Sequence, residues 1–133
     1  MNINRKSLLD KMEILLRIWI GYILVTNSSV GFITPLENLG LPPHIFQILD
    51  GMWKTGFMMH MVKAVELISG LMILFNFYVP VALLGLIPVV INIYGIHIFL
   101  FHSIITDGLY MLLICGFLVF RHWEKYRAIL VRK

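Results

Sequence analysis

Four long apolar segments, separated by short polar breaks, dominate the pattern along the chain. They run over 12–33, 57–76, 79–101 and 104–120. A helix needs roughly 20 mostly apolar residues to cross a bilayer, and three of the four segments reach that length. The last is shorter and relies on Arg121 and Trp123 at its interface. The breaks between the second and third segments, at Asn76-Phe77-Tyr78, and between the third and fourth, around His102-Ser103, are short. Short links force neighbouring helices to pack antiparallel. The pattern therefore predicts an all-α membrane protein, a single domain over 1–133, with four spans in an up-down-up-down bundle.

The first break, 34–56, is the only long one. Within it Pro42-Pro43-His44-Ile45-Phe46-Gln47-Ile48-Leu49-Asp50-Gly51 predicts a short amphipathic helix over about 43–50, opened by proline and closed near glycine. Its apolar residues suit the outer membrane surface or a cap over the bundle.

Composition agrees with the pattern. Hydrophobic residues make up 59% of the 133 and charged residues 14%, against about 25% charged in soluble domains; the mean hydropathy is +0.88. The net charge of +4 is placed at the two ends: Arg5, Lys6, Lys11 and Arg17 precede or open the first segment, and Arg121, Lys125, Arg127, Arg132 and Lys133 follow the last. The positive-inside rule puts both ends in the cytoplasm and accounts for the basic residues without nucleic acid. The first apolar run is longer than a signal-peptide core and lacks a small-x-small cleavage pattern, so it is expected to remain as a span. Arg17 is placed to reach the headgroups and to pair with Glu13 one turn before it. The single cysteine, Cys115, excludes an internal disulfide and a thiolate metal site, and is expected to be a small buried apolar residue.

Candidate chemistry lies in the polar residues inside the segments. Lys63 and Glu66 stand one turn apart in the second segment, where a charge costs roughly 2.5–3.5 kcal/mol unless compensated. They can compensate each other, since i and i+3 share a helix face. His60 lies one turn before Lys63. Asn92 and His97 are in the third segment, Asp107 and Tyr110 in the fourth, and Asn27, Ser28 and Ser29 close the first. All these fall toward the outer side of the proposed bundle, which predicts a pocket drawn from His60, Lys63, Glu66, Asn92, Asp107 and Tyr110. Gly70, Gly85 and Pro88 are the expected helix-packing positions. Such a pocket suits a quinone or another lipid-like molecule, with donors for carbonyl oxygens and apolar walls for a tail. The competing expectation is a purely structural protein whose buried polar residues hold the helices in register. A haem held by His60 and His97 is a further alternative. No phosphate loop, nucleophile elbow or metal-protease spacing is present, so no catalytic residue is assigned and no activity is expected of the chain alone.

The stretch Lys63-Ala-Val-Glu66-Leu-Ile-Ser-Gly70-Leu-Met-Ile-Leu, a turn, then Pro80-Val-Ala-Leu-Leu-Gly85-Leu-Ile-Pro88-Val-Val-Ile-Asn92 resembles the DoxX-like family of small bacterial four-helix membrane proteins. The resemblance implies a location in the cytoplasmic (inner) membrane. It also implies an accessory or anchor role beside protein partners, in some relatives within quinone-linked complexes such as thiosulfate:quinone oxidoreductase. It carries Lys63, Glu66, Gly70 and Asn92 as motif positions. The chain departs from the pattern at Ser28-Ser29-Val30-Gly31-Phe32-Ile33-Thr34-Pro35, where relatives often carry a glycine and then a lysine and this chain has no lysine.

Overall fold

The computed structural model of the protein describes residues 2–102 and 105–131. Among these residues the fold is all-helical: α1 (Asn2–Ile33), a short 3-10 helix (Leu36–Leu39), α2 (Pro43–Lys54), α3 (Met58–Leu74), α4 (Val79–Phe101), α5 (Asp107–Arg121) and α6 (Trp123–Leu130). The long helices α1, α3, α4 and α5 correspond to the four apolar segments. They form a closed ring in which α1 meets α3, α3 meets α4, α4 meets α5 and α5 returns to α1. The expected start of the fourth segment at Ile104, and Ser103 in the connection before it, lie outside the described residues.

Local chemistry sets the joints. α3 ends with Asn76 in the left-handed region at φ 59°; the Phe77 N–H donates to the Met72 carbonyl at 2.7 Å and the Asn76 N–H to that of Ile73 at 3.3 Å. That pattern is a Schellman ending, and asparagine tolerates the left-handed position better than most non-glycine residues. Pro80 then falls in the first turn of α4, where a missing N–H costs nothing. At the other end of α3, Gly56 at φ 80° allows α2 to turn through 92°. The Thr55 hydroxyl accepts the Met58 N–H at 3.1 Å and so satisfies one free donor at the start of α3. α2 is longer than predicted, extending to Lys54, and anchors by Ile45, which is buried.

The ring encloses one apolar core: Ile20 and Leu24 from α1, Ile73 from α3, Val79, Ala82, Leu83, Leu86 and Val90 from α4, and Met111, Cys115 and Leu118 from α5. Outside it the long helices are also apolar, with Leu15, Ile68, Leu84, Ile91, Phe99 and Leu113 exposed. Among the described residues α4 alone is long and apolar enough to cross a membrane, over Val79–Leu100 with a mean hydropathy of 2.2. The bent pair α2 and α3 meets the same standard only when taken together.

Candidate functional site

Lys63 and Glu66 form the ion pair that their spacing predicts. Lys63 Nζ donates to Glu66 Oε2 at 2.8 Å, with side-chain exposures of 15% and 4%. The pair is buried against α1, and the way α1 receives it is decided by glycine. A Cβ on Gly31 would stand 2.8 Å from Lys63 Cε and 3.0 Å from Cδ, so the lysine stem lies across the bare backbone of α1. The same seam continues inward. A Cβ on Gly70 would lie 2.9 Å from Leu24 Cβ, and one on Gly21 would lie 3.0 Å from Leu74 Cβ. Between them Ser28 is fully buried and folds its hydroxyl back onto the Leu24 carbonyl at 2.7 Å. A local bond of this kind leaves a small, satisfied surface. Gly21, Ser28 and Gly31 thus form a shallow track on α1 that admits α3 closely. Gly70 faces Leu24 and Val25 of α1 in this seam. The sequence signal for Gly31 is its spacing from Gly21 and Ser28 on one face of α1.

The other predicted pocket residues do not join this pair. Asn92 is exposed on the outer face of α4, where its Nδ2 donates to the Pro88 carbonyl at 2.8 Å. The face of α4 turned to the core carries Leu83, Leu86 and Val90 instead. Because α4 is apolar all round, its sequence does not reveal which face turns inward. Asp107 is exposed in the first turn of α5, where a carboxylate favours the positive end of the helix dipole. Gly85 and Pro88 are likewise exposed, and only Ser69 Oγ, at 4.0 Å, approaches a Cβ built on Gly85.

His60 is exposed and lies edge-on to Trp53, with ring centroids 4.8 Å apart, and 6.2 Å from the Phe32 ring. It thereby joins the α2–α3 elbow to the end of α1. His97 lies on a different seam: its Nδ1 is 2.8 Å from the Ile93 carbonyl, and Gly108 of α5 presses against it. The two histidines proposed for haem thus serve separate contacts. Tyr110 is half exposed and lines an apolar groove of about 550 Å³ between α1 and α5, with Leu15, Leu16, Trp19, Leu113 and Ile114.

A second polar centre, at the opposite end of the ring, was only partly foreseen. Arg121 of α5 reaches back to α1, bonding Glu13 through Nε at 2.7 Å and Asp10 through Nη2. The Glu13 bond is the largest cause that raises the Arg121 pKa above its ordinary value, with Asp10 adding to it. His122 Nε2 stands 3.8 Å from the other Glu13 oxygen. Glu13 therefore pairs with Arg121, not with Arg17 as its helical spacing suggests. Arg17 instead donates to Asn76 Oδ1 in the α3–α4 turn. Tyr126 of α6 donates to the Pro80 carbonyl at 2.8 Å. Together these bonds tie α1, the α3–α4 turn and α6 at one end.

No family model matches the chain, and no match was found among curated proteins or solved structures.

Proposed function

We propose that the chain is a four-span integral membrane protein of DoxX-like type that serves as an anchor or accessory subunit beside protein partners. In this reading the Lys63–Glu66 pair is a packing device. The observation that carries it is α4: only 28% of its apolar stretch is buried within the molecule, so the remainder needs an apolar surrounding that water does not provide. α1, α3 and α5 supply the other spans. At about 1.5 Å per residue, α3 reaches about 25 Å and α5 about 22 Å; both are short of a roughly 30 Å hydrocarbon core. Local thinning and headgroup contact by Arg121 and Trp123 would accommodate them. The basic residues before and after the ring favour a cytoplasmic location for both, in a bacterial inner membrane.

Burial of the ion pair against glycine favours packing over ligand exchange. Membrane fractions washed with alkaline carbonate test the location: the protein is expected to stay with the lipid, and release into the wash would end the proposal. The packing role is tested by Lys63→Met and Glu66→Gln. Each alone lowers thermal stability in detergent, and the double variant recovers most of it.

The groove between α1 and α5 favours a second reading. Its walls are apolar, and Tyr110 among them carries a hydroxyl able to donate, which suits the tail and carbonyl of a quinone or similar lipid. Of the predicted pocket residues only Tyr110 lines it. Photolabelling with an azido-quinone is expected to mark Tyr110 or Trp19. Labelling confined to the Lys63–Glu66 region would contradict the groove as the ligand position.

A further inference from the structure

One face of α4 is turned away from the core and is little used by packing within the chain. Val81, Gly85, Pro88, Asn92, Gly95 and Phe99 follow one another at alternating steps of four and three residues. That spacing places all six on one face of α4, opposite the face that carries Leu83, Leu86 and Val90. Val81 and Phe99 are 58% and 78% exposed, Gly85, Pro88 and Asn92 are exposed, and a Cβ on Gly95 would meet nothing within 4 Å.

Asn92 sits just past the middle of this 23-residue helix. Its bond to Pro88 uses one N–H, leaving a second N–H and the Oδ1 acceptor on an exposed side chain. Facing hydrocarbon, those groups have no water to bond. An amide is both donor and acceptor, so the simplest partner that satisfies it is an identical amide. Copies inserted in the same orientation present α4 in parallel, which brings Asn92 level with Asn92. Gly85 and Gly95, flanking it on the same stripe, let two backbones approach closely.

From this we infer that α4 forms a parallel homodimer seam in the membrane, with the Asn92 side chains of two copies bonding reciprocally across its axis. The inference rests on the membrane location proposed above. A single asparagine at such a position fixes register and the number of helices.

Cysteine cross-linking of the full chain in native membrane vesicles tests it, on a Cys115→Ala background. Gly85→Cys and Gly95→Cys are expected to give disulfide-linked dimers of this chain. Leu113→Cys, exposed at 61% on α5, is expected not to. In lipid vesicles, energy transfer between labelled copies should report association that Asn92→Leu weakens on the order of tenfold and Asn92→Gln largely retains. Membrane-embedded protein that stays monomeric, or stripe cysteines that cross-link to a different protein, would overturn the seam while leaving the membrane location intact. Protein released by the carbonate wash would overturn both.

Discussion

Individual glycines in this chain have opposite meanings, and their surroundings decide which. Gly70 has Leu24 Cβ 2.9 Å from where its own Cβ would stand, whereas Gly51 in α2 has nothing within 4 Å. Gly70→Ala is therefore expected to cost about 1–3 kcal/mol through overpacking. Gly51→Ala should stabilise α2 by about 0.5–1 kcal/mol, because glycine is a poor helix former where nothing requires it. Thermal unfolding of the two variants in one detergent checks the contrast in sign. For Lys63 and Glu66 the loss of either partner leaves a buried charge or an unpaired polar group, costing about 3 kcal/mol, near the lower end for broken buried pairs. A double variant that proved as unstable as the worse single one would show that the pair is not a compensating unit.

Among the elements, α6 offers a measurable pH dependence. Burial, the larger cause, raises the pKa of the Tyr126 hydroxyl above 10.0. A raised folded-state pKa means that the protonated form is favoured in the fold. Its stabilisation is complete below about 10 and is lost as pH climbs through the folded value. Tyr126→Phe removes the bond to Pro80, costing about 1 kcal/mol near neutral pH. The gap in melting temperature between wild type and variant should then narrow in alkaline buffer; a gap independent of pH would contradict the assignment. The elements also show what a sequence can reveal. α3, α4 and the turn between them were legible because Asn76 and Pro80 mark an end and a beginning that the apolar runs agree with. α1 was legible as an apolar run but not in its full length: it begins at Asn2, ten residues before that run, because hydropathy marks apolar surface and not where hydrogen bonding starts. α6 carries too few apolar residues to announce itself. The rotation of α4 was hidden by its uniform apolarity, which is why Asn92 was assigned to the Lys63–Glu66 pocket and is found on the outer face. Gly31 and Glu13 depended on partners 32 and 108 residues away, pairings no local pattern encodes.

For the whole molecule, the proposed topology makes a direct claim about sides. In sealed cells carrying Cys115→Ser, a cysteine at Glu37, in the exposed 3-10 helix, should react with an impermeant maleimide. Cysteines at Lys6 or Lys125 should react only after the membrane is opened. The reverse pattern would invert the orientation while leaving the ring unchanged. The clasp of Asp10 and Glu13 by Arg121 adds a constraint in time. Three helices of the ring are synthesised before the residue that neutralises the first one exists. Until α5 arrives, α1 holds two carboxylates with that guanidinium still missing, and the ring is an open arc. The clasp thus makes the arrival of the end of α5 the event that closes the ring, so truncation before Arg121 should leave α1 held by α3 and the α1–α5 side the least securely closed.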